Sequence, residues 1–286
     1  MSDFTKVARE PETNWILYPR DMGVRRELYG EELAKEASVH PAKMNLFACQ
    51  DIVDYVSKPG DTIVDPFGGI GTTMTAGCLT NRNVILLEIE EVYAKIAQAI
   101  YDRWVKDEVE NLGNCVIIKQ DNRQVLPLPC HHIITSPPYG NDLFTGSTGG
   151  SDKSTAKLST GGNREEAEEN AAEMAQYGAN VLNIGRLNPF LYVQTMNRLY
   201  GKMVDSIMEG GTISITHRDR TKEGQRVLYA KSIIKTLNGL GMKLEVWEKW
   251  RVPKTLQANV NKAQGADVVE DEDILVFRKS YKIPTL

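Results

Sequence analysis

Between Asp61 and Thr73 the chain reads DTIVDPFGGIGTT, a short apolar run that passes straight into glycines at positions 68, 69 and 71. Few junctions restrict a fold more. An apolar strand followed by glycines and a helix is the turn through which a parallel sheet presents bare backbone to a ligand. The helix that follows offers unpaired N–H groups and a positive dipole end, suited to a carboxylate or phosphate.

The rest of the chain continues the alternation. NVILLEI (83–89) is a second strand with Glu88 near its end, and EVYAKIAQAIYDRWVKDEVE (91–110) carries apolar residues at helical spacing. NCVIIKQ (114–120) and HHIIT (131–135) are further strands, the first followed by Asp121. A helix is expected over 188–211, ended by paired glycines, then a strand over 212–216 and a helix over 225–241. KLEVWEKWRV and DILVFRKS read as two closing antiparallel strands. Repeated strand–helix units predict an α/β fold, a mostly parallel sheet with helices on both faces.

At 286 residues, 41% of them hydrophobic, the chain can build one domain with an insertion. No run approaches the ~18 apolar residues of a membrane span, and MSDFTKVAREPETNW is too polar for a signal peptide. A cytoplasmic address and no membrane partner are therefore expected. The four cysteines are scattered without a CxxC pair, which fits buried thiols in a reducing compartment. Cys130-His131-His132 is the one cluster resembling metal ligands, but strand alternation would send the two histidines to opposite faces, so no metal is expected. The net charge is −4, yet His217–Lys262 holds eleven Lys/Arg against four Asp/Glu. This local excess makes 217–262 a candidate nucleic-acid-contacting surface, with a solvated face as the alternative reading of the charge.

Glu88, at the end of the second strand, is placed to bind both hydroxyls of a ribose, and Asp121 to meet an adenine amino group. These features fit NAD or S-adenosylmethionine. The dinucleotide fingerprint G-x-G-x-x-G fails at Met74, and Asp65 suits a ligand with a cationic amino group better than a pyrophosphate.

TSPPYG (135–140) ends the fourth strand at two prolines, which donate no hydrogen bonds. They force Ser136 and Pro137 into extended geometry and turn their carbonyls outward as fixed acceptors. A nucleobase amino group is a poor nucleophile because its lone pair is delocalised into the ring. Hydrogen bonds from its N–H groups to the Ser136 side chain and the Pro137 carbonyl would favour a tetrahedral nitrogen aimed at a methyl donor. Tyr139 offers a stacking face. A base inside a duplex must be flipped out to reach such a loop.

Together these stretches resemble the amino-group (N4-cytosine/N6-adenine) DNA methyltransferases, which depend on S-adenosylmethionine. The resemblance is carried by HPAKMNLFACQDIVDYVSKPGDTIVDPFGGIGTT, NVILLEIEEVY, TSPPYG and DEDILVFRK. It implies a Rossmann-like, seven-stranded sheet with a reversed C-terminal hairpin. By position it implies that Asp65, Phe67, Gly69, Gly71 and Thr72 line the methionine moiety, with His40 and Lys43 against its end. Glu88 then holds the ribose and Asp121 lies near the adenine, while Ser136, Pro137, Pro138 and Tyr139 hold the target base.

Two departures stand out. Ile70 occupies a place where the family often has serine, and SPPY follows the glycine loop where the subgroup with this wording usually has it first. Serine at the head of the tetrapeptide resembles the cytosine-N4 branch, with adenine-N6 next. An RNA guanine-N2 methyltransferase, a protein-glutamine methyltransferase and a silent binding module are the competing readings. The expected substrate is duplex DNA, with room for a cognate restriction endonuclease. The insertion 141–187 is a candidate lid or target-recognition segment. Arg218, Arg220, Lys222 and Arg251 are candidate phosphate contacts, and Trp247 is expected in core or hairpin packing.

Overall fold

A computed structural model describes residues 4–38, 40, 43–138, 180–222, 225–253 and 268–280. The parallel strands are β1 (Thr62–Asp65), β2 (Asn83–Leu87), β3 (Cys115–Ile118), β4 (Cys130–Thr135) and β5 (Ile207–His217). A short ribbon, β6 (Arg220–Lys222) and β7 (Gln225–Val227), precedes the closing strands β8 (Met242–Arg251) and β9 (Asp271–Lys279). The sheet order is β3-β2-β1-β4-β5-β9-β8, with β9 antiparallel to both of its neighbours. This is the seven-stranded Rossmann-like sheet with a reversed C-terminal hairpin that the sequence predicts. Strand order reverses between β1 and β4, and ligands of open α/β sheets bind outside the carboxyl ends at such a point.

Strand alternation divides the core into two layers. Ile63, Val84, Ile134 and Ile274 face the helices α1 (Met22–Tyr29), α2 (Glu31–Ser38), α3 (Leu46–Val56), α4 (Thr72–Cys78) and α5 (Glu91–Lys106). Val64, Ile133, Ile213 and Phe277 face the opposite layer, where α7 (Pro189–Ser206) and α8 (Tyr229–Gly239) pack; the single turn α6 (Asn122–Val125) follows β3. In α5 the buried residues Tyr93, Ile96, Ala97, Ile100 and Trp104 recur at three- and four-residue spacing, the stripe that drives the helix onto the sheet.

Three features differ from the sequence expectation. The helix expected to run to the paired glycines stops at Ser206, and Ile207, with extended backbone and 3% exposure, begins β5. Gly210 and Gly211 serve the strand instead: a Cβ on Gly211 would lie 2.3 Å from the His131 carbonyl oxygen. That close approach accompanies a register shift between Cys130 and His132, which undoes the expected opposition of the two histidines. Both rings turn toward Asp61, His132 Nε2 at 3.3 Å and His131 Nε2 at 4.0 Å. Burial pushes His132 down to about 4, so it is neutral, and no group of three metal-binding side chains occurs among the described residues.

The third difference is the N-terminal arm. Ile16, fully buried, donates its N–H to the Lys249 carbonyl at 2.8 Å and accepts from the Arg251 N–H at 2.9 Å. This bridge covers part of β8, the sheet's edge strand, which would otherwise offer unpaired backbone.

Candidate active site

At the β1–β4 switch point, Asp65 ties two sequence motifs together. Its Oδ1 accepts the Thr135 hydroxyl at 2.6 Å and the Phe67 N–H at 3.0 Å, while Oδ2 accepts the Thr73 hydroxyl at 2.6 Å. Thr135 immediately precedes Ser136, and Thr73 sits in the first turn of α4. One buried carboxylate therefore sets the glycine loop against the SPP turn. Burial raises the Asp65 pKa despite these donors.

The glycines are needed for space as well as turning. Gly69 has φ +50°, and a Cβ there would meet His40 Nε2 at 3.3 Å; Gly71 has φ +84° and would meet the Met74 methyl at 2.9 Å. Ile70, buried at 2%, fills the place where a hydroxyl was expected and packs into the core.

Glu88 follows β2. Its Oε2 accepts the Gly69 N–H at 2.6 Å and its Oε1 accepts the Glu90 N–H at 2.7 Å. Burial pushes its pKa up to about 7, against these backbone donors. Two N–H groups orient the carboxylate while each oxygen keeps a lone pair, an acceptor set to which a pair of neighbouring hydroxyls could donate. Asp121 is held differently: it caps α6 through the Arg123 N–H at 2.9 Å and pairs with the Arg123 guanidinium at 2.6 Å. Burial raises its pKa, but the Arg123 contacts outweigh that and hold it below the usual carboxylate value.

His40 packs edge-on against Tyr93, with centroids 4.4 Å apart. Burial first, then Lys43 and Arg25, bring its pKa down to about 3, so the ring is neutral. Lys43 donates to the His40 and Ser38 carbonyls at 2.6 and 2.7 Å, and burial pulls it down to about 8. Below them Arg25, 3% exposed, bonds Thr72 Oγ1 through both terminal nitrogens at 3.2 Å and fixes the start of α4.

All the described candidate residues line a single pocket except Gly71, which lies behind it as the N-cap of α4. Ser136, Pro137 and Pro138 line it together with Glu88; Tyr139 lies outside the described residues, as does 141–179 of the insertion.

The sequence reading singled out none of the pocket-lining residues inside the 141–187 insertion. Leu182, Asn183 and Ile184 line the pocket, and Glu90 holds them by accepting Asn183 Nδ2–H at 2.7 Å and the Asn180 N–H at 3.2 Å. Arg123 Nη2 adds a bond to the Leu182 carbonyl at 2.7 Å. The available signals were weak: an acid at the helix start in LEIEE and an Asx turn at Asn183-Ile184-Gly185.

Three of the described basic side chains in 217–262 pair with carboxylates. Arg226 pairs with Asp219 at 2.8 Å and Asp271 at 2.6 Å, Lys249 with Asp273 at 3.0 Å, and Arg251 with Glu270 at 2.8 Å and with Glu10. Arg218 donates to the Val269 carbonyl at 2.5 Å. Trp247 is 45% exposed, so it is not in the core; it packs in the hairpin, where its Nε1–H donates to Asp273 at 2.7 Å.

Sheet order and the glycine loop at the switch point define a Rossmann-like domain. Residues 6–99, which hold the glycine loop and Glu88, match the family model described as DNA methylase. It is 33% identical over 86 residues to the Type II methyltransferase M.BglII of Bacillus subtilis, covering 30% of this chain and 24% of that protein. It is 26% identical over 103 residues to the Type II methyltransferase M.MthZI of Methanothermobacter thermautotrophicus, covering 36% and 26%. The matches thus span about a quarter of the length of these curated relatives. A methyltransferase structure from Pyrococcus furiosus aligns over 91% of this chain and 100% of that one, at 14% identity and TM-score 0.48.

Proposed function

We propose that the chain is an S-adenosylmethionine-dependent DNA methyltransferase acting on the exocyclic amino group of a flipped base, cytosine N4. One observation carries this reading: the SPP turn and the Glu88–glycine cradle open on the same pocket, with Asp65 bonded to both of its halves.

The pocket's chemistry fits the cofactor. Glu88 would accept the ribose hydroxyls, the Gly69 backbone would approach the methionine moiety without steric hindrance, and Lys43 would face its carboxylate. The neutral His40 puts no repelling charge near a cationic centre. Bound S-adenosylmethionine supplies a methyl group on a positively charged sulfur. The chain supplies position: Ser136 Oγ and the Pro137 carbonyl accept the two amino N–H bonds and direct the nitrogen lone pair into the pocket. Ser136 is a neutral acceptor, the feature favouring cytosine. Duplex DNA is the proposed partner, with a base turned out of the stack.

Methyl transfer from labelled S-adenosylmethionine to duplex DNA, single-stranded DNA and tRNA, with the product nucleoside identified by mass spectrometry, is the test. N4-methylcytosine in duplex DNA is expected. N6-methyladenine would correct the base, a methylated guanine in tRNA the substrate, and no transfer to any of them would overturn the assignment.

A further inference from the structure

The segment 180–192 touches both halves of the proposed site. At one end Glu90, 6% exposed, accepts from Asn183 Nδ2 and from the Asn180 N–H, while its own N–H donates to Glu88 Oε1. Asn180 Nδ2 also donates to the Ile89 carbonyl at 3.3 Å. At the other end the Tyr192 hydroxyl donates to the Pro138 carbonyl at 2.7 Å, and Tyr192 is itself buried at 6%.

The path between them has little slack. Asn183 Oδ1 accepts the Gly185 N–H at 2.9 Å and caps a single turn over Ile184–Arg186. Asn188 Oδ1 then accepts the Leu191 N–H at 2.9 Å and caps α7, with Pro189 at its first position. Two Asx caps and a proline leave few free torsions from Asn183 to Tyr192.

We infer that 180–192 is a brace that couples the ribose-binding acid to the SPP turn, with Asn183 and Tyr192 as positioning residues for methyl transfer. This inference rests on the cofactor reading above. Pro137 and Pro138 have fixed φ, so the turn's remaining freedom lies in the rotation of its peptide planes. Tyr192 fixes the plane that carries the Pro138 carbonyl, and with it the direction left to the Pro137 carbonyl one residue earlier. At the other end, a ribose seated on Glu88 steadies the carboxylate that receives the Glu90 N–H. Glu90 in turn holds Asn183. Cofactor binding would thus stiffen the turn before a base arrives.

Hydrogen exchange with S-adenosylhomocysteine as the probe tests the coupling. In the wild type, the probe should increase protection at the amides of Gly69 and Ser136. In Tyr192→Phe, which keeps the ring, and in Asn183→Ala, the gain at Gly69 should persist and the gain at Ser136 should disappear. Retention of the Ser136 gain in both variants would overturn the brace alone. No probe binding to the wild type would overturn the cofactor reading, and the coupling with it. In turnover, Tyr192→Phe should lower kcat about fivefold, the loss of roughly one hydrogen bond, with cofactor Kd within about twofold of wild type. A purely structural tyrosine would leave kcat at saturating substrate unchanged, and that result too would overturn the proposal.

Discussion

Buried acids stand at both ends of the sheet's carboxyl edge, and they are held in opposite ways. Near β1 and β2, Asp65 and Glu88 accept only from backbone N–H and hydroxyl groups. Near β5 and β9, Asp219, Asp271 and Asp273 face cations, Arg226 and Lys249. A neutral donor orients a carboxylate without cancelling its charge, which leaves it able to receive a ligand's hydroxyl or amino group. A guanidinium or ammonium takes up the charge and makes the acid part of the frame. Burial wins at Glu88 and Asp65, whereas at Asp271 burial is outweighed by Arg226 and Lys249 and the pKa falls; Asp273, which shares Lys249, is the exception, its pKa raised by burial.

The largest expected effect lies at the cationic end. Arg226→Ala leaves Asp271, fully buried, with Lys249 as its remaining cation, and leaves Asp219, whose side chain is 1% exposed, with the Tyr229 N–H and no cation. Removing one partner of a buried pair costs about 3–5 kcal/mol. Arg226 is itself partly exposed, so about 3 kcal/mol is the expectation, a fall in Tm of roughly 6–12 °C for a chain of this size. Thermal unfolding measures it, and cofactor Kd should not change. A stable variant that binds cofactor poorly would invert the contrast between the two ends.

Glu88→Ala is the complementary change. It removes the proposed acceptor for two ribose hydroxyls, each hydrogen bond to a charged group being worth about 1.5 kcal/mol, so S-adenosylhomocysteine should bind about 100-fold more weakly by calorimetry. Tm should move little. Unaltered affinity would show that Glu88 only shapes the Gly69 loop.

This contrast also separates what was legible in the sequence from what was not. The glycine loop, Glu88 and the SPP turn are local: each is a few consecutive residues whose backbone geometry follows from composition, and strand order brings them together. The part of the pocket lined by 182–184 was not legible because Glu90 and Asn183 lie 93 residues apart and meet only through tertiary folding. The ion pairs made by residues of 217–262 were not legible for a related reason. Charges add along a sequence, but Arg226 finds Asp271 45 residues away and Arg251 finds Glu10 241 residues away. The histidine pair was misread because the irregularity that shifts the register lies in β5, between Ile207 and Thr212, and has no signature in HHIIT.

A smaller effect is a pH profile. Glu88, pushed up to about 7, must be ionised to accept both hydroxyls, so affinity should rise as pH climbs through 7. Lys43, pulled down to about 8, loses its charge above that, so affinity should fall again. The limbs should approach tenfold per pH unit at the extremes, and Lys43→Met should abolish only the alkaline one. For the unliganded fold the sign at Glu88 is reversed. A carboxyl whose pKa rises from 4.5 to about 7 on folding contributes stability that is present below 4.5 and is lost as pH climbs through 7. A flat binding profile from pH 6 to 9 would mean that neither group meets the ligand.

Trp247→Phe gives the smallest change and probes the frame most finely. The indole Nε1–H donates to Asp273, 1% exposed, whose pKa burial raises even with that donor present. Phenylalanine keeps most of the hairpin packing and removes only the donor. A hydrogen bond to a charged group is worth about 1.5–3 kcal/mol, and Lys249 at 3.0 Å still serves the same oxygen. About 1 kcal/mol is therefore expected, a fall in Tm of roughly 2–4 °C. The loss should shrink at low pH, because a protonated Asp273 no longer needs a donor at that oxygen. A loss independent of pH would assign the tryptophan's contribution to packing, and Asp273 would then depend on Lys249 alone.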